Sequence, residues 1–201
     1  MHVVLLGDSI FDNSSYTRGE PDVVSHLRKV LPAHARATLC AVDGATTGSL
    51  SRQLTRVPPD ATHLIVAIGG NDALQNTDLL ETRVASTAEA LSLFADRVEA
   101  FEAAYRAALA PVLALRRPTV VCTIYNGNLE PPRARLARTA LALFNDVIVR
   151  FGFEQDLPVI DLRIICCTPA DYANPIEPSG QGGLNIARAI AATLERHGPR
   201  S

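Results

Sequence analysis

The feature that most limits what this chain can fold into is an alternation: five short, mainly apolar runs, separated by stretches of helical periodicity. The runs are Val3 to Leu6, Ala37 to Val42, His63 to Ile68, Thr119 to Ile124 and Val159 to Leu162. Apolar residues at nearly every position, rather than every second one, mark a strand covered on both faces, as in a parallel sheet. Between the runs, apolar residues recur at intervals of three or four. One such face is Val23, Val24, Leu27 and Leu31; another is Leu136, Ala140, Leu143, Val147 and Phe151, all expected inward; a third is Leu184, Ile186, Ala187, Ile190 and Leu194. The longest, Val84, Ala88, Leu91, Phe94, Val98, Phe101, Tyr105, Ala108 and Val112, predicts a long helix kinked or restarted at Pro111. A short helix is expected from about Thr47 to Arg56. Strand and helix in strict alternation predict a three-layer α/β domain. With 201 residues and no internal repeat, low-complexity tract or linker, the expectation is one domain over residues 1–201.

Composition removes several functional classes. A net charge of −2 gives no reason to expect a nucleic acid or an anionic membrane as partner. No apolar run approaches the roughly 20 residues that cross a bilayer, and Met1-His2 leads straight into a short strand rather than a signal peptide. Cys40 and Cys122 sit in apolar runs as small hydrophobes, and the adjacent Cys166-Cys167 pair lacks metal-ligand spacing. A reduced, cytoplasmic protein is the expectation. Neither a dinucleotide nor a P-loop glycine pattern follows the first strand, no metal-ligand cluster is visible, and no cofactor is expected.

The chemistry-bearing residues gather where strands end. Three successive runs break into Gly7-Asp8-Ser9, Asp43-Gly44-Ala45 and Gly69-Gly70-Asn71-Asp72. In a parallel sheet these loops meet at the carboxyl edge, where ligands bind. They bring together a hydroxyl, an unobstructed glycine N–H and a side-chain amide, the parts acyl transfer requires: a nucleophile, and donors for the oxyanion its attack creates. Taken alone, Gly-Asp-Ser is equally ordinary turn chemistry.

The blocks Gly7-Asp8-Ser9-Ile10-Phe11-Asp12-Asn13, Gly44 and Gly69-Gly70-Asn71-Asp72, in this order and spacing, resemble three blocks of the SGNH (GDSL-type) hydrolase superfamily. The resemblance runs from the first strand to the last helix. It implies a flavodoxin-like α/β/α sandwich with strand order 2-1-3-4-5, and a small-molecule ester as substrate. It implies Ser9 as nucleophile, with the Ser9 and Gly44 N–H groups and the Asn71 side chain as oxyanion hole. The fourth block departs from the pattern. The family carries Asp-x-x-His there; the fit that keeps the following glycine in place is Asn174-Pro175-Ile176-Glu177. Asn174 then stands in the aspartate position and Glu177 in the histidine position. A second register, Asp171-Tyr172-Ala173-Asn174, keeps the aspartate and puts Asn174 in the histidine slot.

A serine hydroxyl is a poor nucleophile until a base takes its proton, and imidazole suits that task. A solvated glutamate with pKa near 4.3 is a weak base, but burial raises it into a serviceable range. Glu177, between Ile176 and Pro178, is a candidate for such tuning; capping the last helix or pairing with an arginine is the competing role. His2, His26, His34, His63 and His197 read as surface or helix-end residues, His26 being nearest in sequence to the serine loop. Asp8 and Asp72 are expected to hold loop N–H groups, Asp12 and Asn13 to cap the turn, Asp161 to order its loop, and Tyr125, Asn126 and Asn128 to line a pocket. Two functional readings follow: a serine ester hydrolase with an atypical base, or a binding module for an acyl or carbohydrate ligand on a hydrolase fold. A flavodoxin-like nucleotide or flavin binder is a weaker third.

Overall fold

The computed structural model describes residues 1–197. Five strands, β1 (His2–Gly7), β2 (Arg36–Leu39), β3 (His63–Ala67), β4 (Thr119–Cys122) and β5 (Val159–Ile160), form one sheet in the order β2-β1-β3-β4-β5. Every neighbouring pair is parallel, with Val3 beside both Ala37 and His63, Leu64 beside Thr119 and Cys122 beside Ile160. This is the topology the α/β alternation and the family resemblance imply.

The helices are α1 (Val23–Val30), α2 (Leu50–Leu54), α3 (Gly70–Leu74), α4 (Thr87–Ala114), α5 (Arg133–Glu154), α6 (Leu162–Ile165) and α7 (Gly180–His197). Successive strand residues point to opposite faces, so the apolar runs feed two cores. Val3, Leu5, Ile65, Val120 and Cys122 pack with Val23, Leu27, Ile186 and Ile190 of α1 and α7. Val4, Leu6, Leu64, Val66 and Val121 pack with Tyr105, Leu109, Phe144 and Ile148 of α4 and α5. Each fully buried Val, Leu or Ile contributes about 1.5–3 kcal/mol, which is why a run with no polar interruption is stable only between two helical layers.

Three expectations need correction. The strands stop short of Val42, Ile68, Ile124 and Leu162, because the chain leaves the ladder early to build the loops at the carboxyl edge. Pro111 does not restart the long helix: α4 is one segment from Thr87 to Ala114 with Pro111 inside its last turn. The inward faces of the two long helices also end sooner than their periodicity. Phe101, Tyr105, Leu109 and Val112 of α4 are buried, as are Phe144, Val147, Ile148 and Phe151 of α5, but Val84, Leu91, Leu136 and Leu143 are exposed.

The reason is length. At 28 residues, α4 is about 42 Å long, while β3 and β4, of five and four residues, reach roughly 13–17 Å. Crossover helices run back against their strands, so the surplus N-terminal halves of α4 and α5 overhang the sheet's carboxyl edge. Their apolar stripes wall a cavity there instead of a core.

Candidate active site

The site begins with how the first strand is held at its end. Gly7 has φ +138° and lies so close to β3 that a Cβ would sit 1.8 Å from the Ala67 carbonyl oxygen. Only glycine fits such an approach. The buried Gln53 side chain of α2 accepts from the Gly7 N–H at 2.8 Å and donates to its carbonyl at 2.7 Å, which also accepts from the Val42 N–H at 3.1 Å. On α5, Asn145 does the same for Ile124 beyond β4, at 2.7 and 2.9 Å. Two buried amides thus end two strands without orphaning backbone groups.

Side chains then tie the loops together. Asp12 accepts from the Asp43 N–H at 3.0 Å, and the Tyr16 hydroxyl donates to the Asp43 carboxylate at 2.7 Å. These bonds bind the serine loop to the Gly44 loop. Asn71 donates to the Ala45 carbonyl at 2.9 Å, and Asp72 accepts from the Thr47 hydroxyl at 2.6 Å and the Thr47 N–H at 3.0 Å, joining the third loop to the second. Asn13, fully buried, donates to the Pro178 carbonyl at 3.2 Å and accepts from the Val23 N–H at 3.1 Å. Tyr125, just beyond β4, donates its hydroxyl to the Ile176 carbonyl and so reaches the loop before α7 that carries the fourth block, the fourth loop of the site. Asp161 accepts from Thr123 Oγ1 at 3.0 Å and from the Arg163 N–H at 3.1 Å, ordering its own loop.

At the convergence, Ser9 Oγ donates to Glu177 Oε1 at 3.1 Å. Both residues are buried, Ser9 being 8% and Glu177 7% exposed. Burial pushes the Glu177 carboxyl up to about 7; the Ser9 bond opposes that rise and the Asp43 charge adds to it. Among the described residues Glu177 caps no helix and pairs with no arginine. This is the contact that the first register of the fourth block implies: Glu177 and not Asn174 meets the serine. Asn174 is exposed and accepts, through Oδ1, the N–H groups of Ile176 and Glu177, each at 2.9 Å. It pins the turn beneath Glu177 and does not orient the carboxyl. Asp171, the aspartate of the other register, is a buried hub that accepts from the N–H groups of Cys167 and Thr168, the Thr168 hydroxyl and the Asn185 amide.

Among the described residues, the N–H groups of Ser9 and Gly44 have no acceptor. Asn71 spends one amide proton on Ala45 and keeps the other. Gly44 has φ +74° and is exposed on its loop. A cavity of about 670 Å³ is lined by Ser9, Asn71, Glu177 and Asp8 at one end, and by Phe94, Leu136, Ala140, Leu141 and Phe144 along its wall. Gly44 is not among its lining residues. Tyr125 and Asn126 are, whereas Asn128 donates its backbone N–H to the Pro175 carbonyl. None of the described histidines lines it; the partly buried His26 lies on α1 near Gly183 of α7.

A hydroxyl bonded to a buried carboxyl, a free N–H on the same serine and an amide around the polar end of an apolar cavity form a constellation suited to acyl transfer, with the free Gly44 N–H on the adjoining loop outside the cavity lining. The family model for GDSL-like lipases and acylhydrolases matches residues 5–184. The chain belongs to that family. Among solved structures it is similar to an extracellular lipase from Streptomyces rimosus, at 17% identity and TM-score 0.70, over 96% of this chain and 99% of that one. It is likewise similar to a phospholipase A1 from Streptomyces albidoflavus, at 17% identity and TM-score 0.67, over 95% and 98% of the two chains. A variant of an acetyl-xylooligosaccharide esterase from Geobacillus aligns at 18% identity and TM-score 0.67, over 100% of this chain and 96% of that one. At such identities the likeness shows the fold alone. No curated protein sequence matches.

What sequence reasoning missed is Gln53, Asn145 and the cavity wall of α4 and α5, together with the roles of two residues it named: Asn13 ties the serine loop to Pro178 and Val23 rather than capping its turn, and Asp171 orders the turn at Cys167 and Thr168. A polar residue at an apolar position of a helix face, as Asn145 between Phe144 and Val147, is the one signal that could have marked any of them.

Proposed function

We propose that the protein is a serine-dependent acyl ester hydrolase in which Glu177 replaces the usual histidine as base. The observation that carries this is the 3.1 Å hydrogen bond from Ser9 Oγ to Glu177 Oε1 at the polar end of the apolar cavity. Ionised Glu177 takes the hydroxyl proton as Oγ bonds to the ester carbonyl carbon, and the carbonyl π electrons move to its oxygen. The N–H groups of Ser9 and Gly44 and the Asn71 amide receive that oxyanion. Collapse breaks the bond to the alcohol oxygen, which leaves with the proton Glu177 holds. Water then repeats the sequence, attacking the acyl-serine while Glu177 takes its proton, and the free acid departs. A carboxyl with pKa near 7 is matched to both directions of this transfer at neutral pH. The apolar wall suits the apolar side of the ester.

The test is hydrolysis of p-nitrophenyl acetate and butyrate together with fluorophosphonate labelling. Ser9→Ala is expected to abolish both. Glu177→Gln should lower kcat about 10²–10⁴-fold while the protein stays folded, which is the range for loss of a general base. Wild-type protein that neither hydrolyses an activated ester nor labels at Ser9 would return the chain to a binding role.

A further inference from the structure

We propose that Asp8 is a second functional carboxyl of this site: it shares the buried pocket with Glu177, keeps its proton while Glu177 gives up its own, and so holds the pair at a single negative charge during catalysis. The inference rests on the ester-hydrolase reading above. It starts from two unsatisfied atoms. Asp8 Oδ1 accepts from the Ile10 N–H at 3.0 Å, but Asp8 Oδ2 is buried with no partner, and Glu177 Oε2 is in the same condition. Asp8 is 1% exposed, and both carboxyls line the cavity that Ser9 lines. Asp8 Oδ2 points toward α3, where a Cβ on Gly70 would lie 3.5 Å from it.

The charges acting on Asp8 are all acidic: Glu177 from the fourth loop, Asp72 from α3 and Asp43 from the second loop. The other titratable groups that face it, Cys122 of β4 and Tyr125 beyond β4, are themselves pushed up by burial and stay neutral. Asp72 accepts from the Thr47 hydroxyl and N–H, and Asp43 from the Tyr16 hydroxyl. Asp8 has only the one backbone N–H, and its pKa rises to about 7, chiefly through burial. Asp78, Glu81 and Arg133 also line the cavity, but Arg133 pairs with Glu81 and is not among the charges acting on Asp8 or Glu177. Two buried carboxyls with no cation acting on them lose their protons in separate steps that belong to the pair. Each carboxyl has one donor, but Asp8 is the more deeply buried and faces three acidic side chains where Glu177 faces Asp43, so Glu177 ionises first and Asp8 second.

The consequence is a charge count. Proton transfer from Ser9 to Glu177 moves one negative charge from the carboxylate to the oxyanion and leaves the site's total unchanged. Were Asp8 ionised as well, the oxyanion would form beside a second buried charge with nothing to offset it. Activity should therefore rise with pH as Glu177 ionises and fall again as Asp8 does.

The experiment is the pH profile of kcat/KM for p-nitrophenyl butyrate from pH 5 to 9.5, in wild type and Asp8→Asn. Wild type should give a bell, falling toward tenfold per pH unit on its alkaline side, and Asp8→Asn should keep the rising limb and lose the falling one. Identical alkaline limbs in the two proteins overturn the proposal and leave the esterase reading intact, whereas activity surviving in Ser9→Ala removes the esterase reading itself. A readout free of turnover covers the case in which Asp8→Asn does not fold. Infrared titration of Glu177→Gln should show a protonated carboxyl persisting above pH 6 that this variant can draw only from Asp8; no such band means Asp8 is ionised there, and the proposal fails.

Discussion

Glu177 differs from an imidazole in what it asks of its neighbours. A histidine has a second ring nitrogen whose N–H needs an acceptor, which is the part an aspartate plays three residues earlier in the family pattern. An ionised glutamate has no proton to donate, and a carboxylate behind it would only repel it. The aspartate position is thereby freed, and Asn174 fills it with a backbone task, accepting the Ile176 and Glu177 N–H groups. Asn174→Ala should cost about 1–2 kcal/mol of stability, the usual range for lost turn bonds of this kind, and lower kcat by loosening the Glu177 backbone. Asn174→Asp, which offers the same acceptor, should recover most of the stability; thermal melts with kinetics on both variants check this. That Glu177 could face Ser9 was legible as one of two registers of the fourth block. That Asn174 serves a turn was not, because the register records which slot a residue fills and not which atoms it faces.

Among the elements, α4 and α5 do two jobs with one sequence pattern. Their C-terminal halves cover the sheet through Phe101, Tyr105, Phe144 and Phe151, whose rings meet at centroid distances of 5.2–5.7 Å. Outside this cluster Glu102 bridges Arg106 and Arg150 across the two helices. Their N-terminal halves keep the same apolar stripe with no sheet beneath it. Leu136 lines the cavity yet is half exposed, so replacing it tests the wall without disturbing the core. Leu136→Asp should shift stability by less than about 0.5 kcal/mol, as surface changes do. It should raise KM for an octanoyl ester several-fold while acetyl-ester kinetics hold. Equal effects on both esters would show that the wall does not contact the acyl chain. Periodicity could not divide the two halves, since a helix face facing a sheet and one facing a cavity carry the same residues at the same spacing.

For the whole molecule, holding an acid in a pocket without a partner costs stability in a pH-dependent way. Asp8 has a folded-state pKa of about 7 against 3.8 for the free side chain. Below both values the two states carry the same proton and nothing is lost. Between them the folded state binds the proton and the unfolded state does not, so stability falls as pH rises, by about 1.4 kcal/mol for each pH unit crossed. Above about 7 the loss is complete and level. The melting temperature of Asp8→Asn relative to wild type should therefore climb between pH 4 and 7 and then plateau, measured in one buffer series at constant ionic strength. A difference that stays flat across that range would mean Asp8 is ionised in the folded protein.

By itself the sequence determined the class of fold, because continuous apolar strands demand cover on both faces and glycine-broken strand ends demand loops at one edge. It also placed Ser9, Gly44 and Asn71 in those loops and offered Glu177, in one of two registers, as the partner of Ser9. Tertiary structure alone decided that Ser9 and Glu177 share a hydrogen bond across 168 positions of chain, that Asp8 is buried beside them without a partner for Oδ2, and that helical overhang makes a cavity. Partnership and desolvation depend on which distant segments meet, and no local pattern encodes the water a side chain will lose.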